Sequence, residues 1–362
     1  MVADSLTGKQ TLRRSVQALV LAYLLVFAAL IAVAGTIAVF GNPHAGEAVV
    51  QLDLALKRTA RAAPPAAAAL QPPPAQTAPA APPAGEAPPL QAPQTAGRAL
   101  VADPALIERT PEGPLPKIGD DGTMPMRAYA APVVSDGKPR IAIVVNGLGI
   151  SAKATAAALA GLPAGVTLGF APYASDVQQW VTQARRQGHE VLLEVPMEPY
   201  DFPDSDPGQY TLRAGIGEDS NTRRLVWALT RMTGYVGVTN LLGGRLLSDA
   251  GALEPVLTYL TRRGLLFYDN GSALHSVAPD VASRVGTYFA QAATTVDTIQ
   301  SAMEIDHQLS DLEAEARAKG SASGSGFLYP VTVDRVNVWA KGLAGRGFAL
   351  VPVSAIVTQT KQ

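Results

Sequence analysis

The carboxylates best placed to do chemistry lie in the second half of this 362-residue chain. Glu194 and Glu198 flank Pro196, and Asp269 and Asp297 each follow an apolar run. Paired carboxylates can serve as general acid and general base in glycoside cleavage. The same groups can instead cap loops or pair with Arg245, and no activating partner accompanies any of them. Tyr173, Trp180, Tyr200, Tyr268 and Tyr329 offer rings for stacking on a sugar, with Asn240 and Arg245 as polar ligand-binding candidates. Each ring also suits ordinary core or rim packing. The chain has no cysteine, which excludes a disulfide scaffold and a thiolate metal site. Its histidines are His44, His189, His275 and His307, little material for an imidazole site. His189 precedes a strand and reads as a surface or capping imidazole; His275 and His307 lie at no ligand spacing and read as solvated. A net charge of -1 without a basic cluster excludes nucleic acid as a partner.

The elements that must position these groups alternate strand and helix. Arg140-Ile-Ala-Ile-Val-Val145 is an unbroken β-branched run that ends in Asn146-Gly147. Such a run suits a strand buried on both faces of a parallel sheet. Ser151 is a plausible N-cap for the alanine-rich helix that follows. Further strands are expected at 166–170, 189–195, 235–240, 265–269, 323–329 and 348–353. Helices are expected at 175–187, 221–232, 254–263, 298–319 and 332–343. Residues 196–219 read as a long irregular stretch, and the segment before Asp297 is left unassigned. About seven β/α repeats imply right-handed crossovers and parallel strands, as an irregular (β/α) barrel or an open doubly wound sheet. In such folds the strand ends carry the chemistry.

The first part of the chain reads differently. Residues 15–40 hold no charge at all, follow Lys9, Arg13 and Arg14, and exceed the ~20 apolar residues that span a bilayer. They read as one transmembrane anchor, with 1–14 cytoplasmic and the rest of the chain on the periplasmic side. Ala32-Val33-Ala34 also matches a cleavage site, so removal of the segment stays open. Residues 41–137 read as a juxtamembrane segment and a disordered Pro/Ala-rich tether, with Pro72-Pro73-Pro74 and Pro88-Pro89 within it. The globular domain is expected at 138–358.

Six segments of that domain, in order, resemble the divergent polysaccharide deacetylase family. They are Ile141 to Gly149, Leu162 to Ala174, Gly188 to Pro199, Gly237 to Arg245, Arg263 to Asn270, and Leu350 to Ser354. The resemblance implies a deformed (β/α) barrel of about seven strands. In active relatives the first strand ends in Asp-Asp, one acid serving as base and one helping to hold a divalent metal that later histidines complete. There the metal lowers the pKa of a bound water and polarises the acetyl carbonyl. At the matching positions this chain carries Asn146 and Gly147, then Leu241 and Tyr329 in the histidine places. The resemblance therefore implies that the ancestral metal site is lost, with no metal or other cofactor expected.

The expected function is that of a membrane-anchored, periplasm-facing deacetylase-like domain of envelope carbohydrate metabolism, catalytically degenerate, that binds an envelope glycan or an envelope protein. An active deacetylase or hydrolase of altered mechanism, using Glu194, Glu198, Asp269 or Asp297, is the alternative.

Overall fold

The computed structural model describes residues 102–133 and 137–359. The anchor expected over 15–40 lies outside them, as does most of the tether. Among the described residues no helix is long and apolar enough to cross a membrane.

The first strand is β3 (Arg140–Leu148), after a small antiparallel hairpin of β1 (Ile107–Thr110) and β2 (Gly113–Pro116). Next come β4 (Thr167–Phe170), β5 (Val191–Met197), β6 (Gly237–Leu242), β7 (Leu266–Asp269), β8 (Phe289–Gln291), β9 (Thr294–Thr295) and β10 (Ser321–Phe327). The sheet order is β8-β7-β6-β5-β4-β3-β10-β9, and every pairing in it is parallel. β8 and β9 are two pieces of one interrupted strand. Between them Ala292 N donates to Asp269 O of β7 and Ala293 N donates to Ser323 O of β10, each at 2.8 Å. That segment joins the two ends of the strand order, giving an α/β barrel-like fold with seven principal strands.

The seventh strand is not the one the sequence suggested. It falls in the unassigned stretch before Asp297, because Phe289–Thr295 is short, broken and built mostly of small residues. The expected last strand, 348–353, shrinks to β11 (Ala349–Leu350), which pairs only with the start of β3.

Helices follow the strands close to the expected spans, and one more, Ala278–Val285, lies in the unassigned stretch before Asp297. Ser151 caps Ala152–Gly161 by accepting from Ala154 N, as expected. Asp249 and Ser301 cap Ala250–Arg262 and Ala302–Lys319 through the N–H groups of Ala252 and Glu304. These caps move the two starts to 250 and 302, since the cap side chain fixes where the first free N–H lies.

Alternation along the strands sorts the core into two layers. Ile141, Ile143 and Val145 point to the helices, whereas Val144, Leu192, Leu266 and Tyr268 line the inside. The inner layer is continued at the N-terminal end of the strands by Leu106, Met126 and Tyr129. This corrects the tether expected over 41–137. Residues 102–133 are folded against the barrel base: Met126 N donates to Gly264 O at 3.1 Å, and Arg185 donates to Tyr129 O. A few large apolar residues spaced among prolines suffice to close a barrel end that would otherwise expose its interior.

Glu190, wholly buried at the start of β5, clips both chain ends to that base. Its carboxyl accepts from Ala131 N at 3.3 Å, from Ser354 N at 3.0 Å and from the Ser354 hydroxyl. A chain beginning at residue 138 is therefore expected to unfold at clearly lower urea than one beginning at 102, in a comparison by circular dichroism. Equal midpoints would show that the N-terminal plug adds no stability.

Candidate functional site

The C-terminal strand ends and the inner wall below them form the candidate site. At the end of β3, Asn146 is buried and faces inward. Its Nδ2 donates to Ser325 Oγ at 3.0 Å and to Gly326 O at 3.4 Å, both on the neighbouring β10. Those bonds fix the amide orientation, so Asn146 Oδ1 points the other way, across β4. The residue of β4 at that level is Gly169. A Cβ there would overlap Asn146 Oδ1 and come within 3.2 Å of Glu194 Oε1. Only a residue without a side chain lets the amide lie over β4 toward β5.

Glu194 reaches the same place from β5. Its Oε1 accepts from Gly147 N, while its Oε2 and Asn146 Oδ1 have no hydrogen-bond partner. Burial pushes the Glu194 carboxyl up to about 8, partly offset by the Gly147 N–H. At neutral pH it is a neutral acid and carries a proton that can be donated. Two acceptor oxygens converging on Gly169 would repel each other; an acid beside an amide carbonyl is a compatible pair. Thr239, the register partner of Glu194 on β6, adds a third buried oxygen without a partner. Next on the wall, Tyr268 donates across the barrel to Ser323 Oγ at 3.4 Å and Gly324 O at 3.2 Å.

The other carboxylates are structural. Asp269 accepts from Gly271 N at 3.0 Å, Ser276 Oγ at 2.6 Å and Gln291 Nε2 at 3.0 Å, which shapes the turn after β7. Glu198 accepts from Ala214 N at 2.7 Å and faces Arg245 at 3.9 Å, clipping the long loop after β5. Asp297 accepts from Phe327 N at 2.6 Å and Thr332 Oγ1 at 2.8 Å, leaving Oδ1 buried without a partner. Burial raises its carboxyl above the usual range.

Several ligand candidates are corrected. Tyr268 is fully buried and its hydroxyl is used inside the barrel. Asn240 is committed to Asn270 by reciprocal bonds of 2.9 Å that tie β6 to β7. Trp180 packs on the outer core. His189 is buried and bonds Val166 O through Nδ1 at 2.9 Å, so it caps but is no surface group. His275 and His307 are exposed, as expected.

Tyr173, Tyr200 and Tyr329 do reach the surface at the strand ends, and Arg245 is exposed beside them. Tyr329 lies two residues beyond Phe327, the register partner of Asn146. Leu241 pairs with Pro196 on the same inner wall and is half-buried.

The donor set does not fit a divalent metal ion. Among the described residues no three His, Cys, Asp or Glu side chains come together. At the strand end stand an amide already bonded to Ser325, a glycine, and one carboxyl that prefers its proton. Sequence reasoning missed Gly169, Thr239, Ser323 and Ser325. The serine alternation along Ser321-Ala-Ser-Gly-Ser was the available signal, since period two puts all three on one face.

Comparisons with known proteins bear on the family and the fold. A crystal structure of an uncharacterized protein from Agrobacterium tumefaciens C58 matches with 40% identity and a TM-score of 0.67, covering 68% of this chain and 100% of that one. Uncharacterized protein YibQ of Escherichia coli K12 is 26% identical over 206 residues, which is 57% of this chain and 63% of YibQ. An uncharacterized protein of Haemophilus influenzae is 24% identical over 194 residues, 54% of this chain and 68% of its own length. Residues 143–357 match the family profile described as divergent polysaccharide deacetylase, and that span covers every strand of the barrel after the start of β3: the chain belongs to the divergent polysaccharide deacetylase family.

Proposed function

We propose that this chain is a catalytically degenerate member of its family that acts by binding at the mouth of the barrel. In this reading it serves cell-envelope carbohydrate metabolism, held in the cytoplasmic membrane by residues 15–40 with the barrel on the periplasmic side. The observation that carries it is the end of β3. Asn146 spends its amide on Ser325 and Gly147 offers only an N–H, taken by Glu194. An amide is a poor base, and a neutral carboxylic acid sealed behind it cannot take a proton from water. The rival reading, a hydrolase of altered mechanism, loses Asp269 and Glu198 to loop contacts and leaves Glu194 and Asp297 buried.

Two outcomes are expected. Calorimetric titration of the full chain with zinc should show no micromolar binding, and peptidoglycan or chitin fragments should release no acetate with added metal. Tight zinc binding or metal-dependent acetate release would overturn the proposal.

The second outcome concerns stability. The folded state keeps the Glu194 proton up to about pH 8, whereas the unfolded chain loses it near 4.5. The native state then binds the extra proton, so Glu194 costs stability progressively as pH rises from 4.5 to 8. At ~1.4 kcal/mol per unit the cost is on the order of 4 kcal/mol by pH 8. Glu194→Gln keeps the shape without the charge and should flatten this part of the profile in urea melts, being more stable than the parent at high pH. Parallel profiles for the two proteins would mean that Glu194 is ionised in the native state.

A further inference from the structure

Exposed apolar side chains are concentrated at one end of the molecule. Of the nine large hydrophobic residues exposed among the described residues, seven follow the C-terminal ends of barrel strands. They include Ile150 after β3 (70% exposed), Leu274 after β7 (91%), and Ile299 and Met303 after β9 (58% and 81%). Tyr200 and Tyr329 complete the rim after β5 and β10. Seven exposed apolar side chains at this end, against two elsewhere among the described residues, single it out as an interaction surface.

Both described chain ends lie at the opposite face. Residues 102–133 plug the base, and Thr358 pairs with Phe289 at the start of β8.

Charge selects the occupant. The segments that join each strand end to the following helix carry five exposed carboxylates, Asp176, Asp201, Asp204, Asp206 and Asp249, against two guanidinium groups, Arg213 and Arg245. Arg213 lies over the Phe202 ring at 4.7 Å and Arg245 faces Glu198, so neither offsets the exposed Asp176, Asp201, Asp204 and Asp206. An acidic face repels an anionic bilayer surface. Isoleucine, leucine and methionine tips offer a sugar no hydrogen bond, whereas they are the material of protein interfaces, where apolar centres are ringed by polar contacts.

We propose that the barrel mouth docks a protein whose contact surface is apolar and flanked by lysine or arginine. The inference rests on the binding function proposed above and names its partner. Complementary charge steers the approach and makes association sensitive to salt, while the apolar rim supplies the contact that holds.

The test places a photo-crosslinking residue at Ile150, Leu274 or Met303 of the full chain in cells, with Val338 on the outer face of the helix Pro330–Leu343 as control. One protein should be captured from all three mouth positions and not from Val338. Purified, it should bind the full chain in detergent, with affinity falling about tenfold or more in Leu274→Asp/Ile299→Asp and falling as salt rises. The variant's unfolding midpoint should match the parent's, which separates lost contact from lost fold. No adduct at the mouth, or binding indifferent to both the double variant and salt, overturns the inference. If the double variant instead abolishes binding of a peptidoglycan oligosaccharide, the protein partner is wrong while the binding function stands. Metal-dependent acetate release would overturn that function itself.

Discussion

A carboxyl group on the inner wall of a parallel barrel has to be neutral, paired or wet, because the apolar walls do not solvate its charge. Glu194 meets that constraint by keeping its proton and resting against Asn146 over Gly169. Each residue of the group makes sense only with the others. Gly169 leaves the space, Ser325 aims the amide, and Gly147 N–H holds the acid. A carboxylate at position 146 would put two carboxyl groups over one glycine, where their charges would repel.

That arrangement lets the inner wall of this barrel stand without an ionised acid at the end of β3. The strand ends and walls carry neutral hydrogen bonds: Asn146 to Ser325, Tyr268 to Ser323, Asn240 to Asn270. Buried side-chain hydrogen bonds of this kind hold neighbouring strands in register. What remains open to other molecules is the mouth, where apolar tips and carboxylates face outward.

The base has the opposite character. Leu106, Met126 and Tyr129 close it, and Glu190 ties in the segments that enter and leave the barrel. Structural and interacting ends are thus separated along the barrel axis, as they are in other barrels whose chemistry sits at the C-terminal face.

The sequence alone determined most of the strands and helices, their approximate spans, and the Asn146-Gly147 end of the first barrel strand. Those features are local, set by β-branched runs, caps and residue type. It did not reveal the strand broken across Phe289–Thr295, because short broken strands lack periodicity. Nor did it reveal that residues 102–133 belong to the folded domain, since composition over a proline-rich window hides three well-placed apolar side chains, Leu106, Met126 and Tyr129. Above all, tertiary structure decided what the surviving polar groups do. Glu194 and Asn146 are 48 residues apart in the chain, and only the pairing of β3 through β4 to β5 brings them over Gly169. Asp269, Asn240 and Tyr268 looked available in one dimension because their partners, Ser276, Asn270 and Ser323, are fixed by folding.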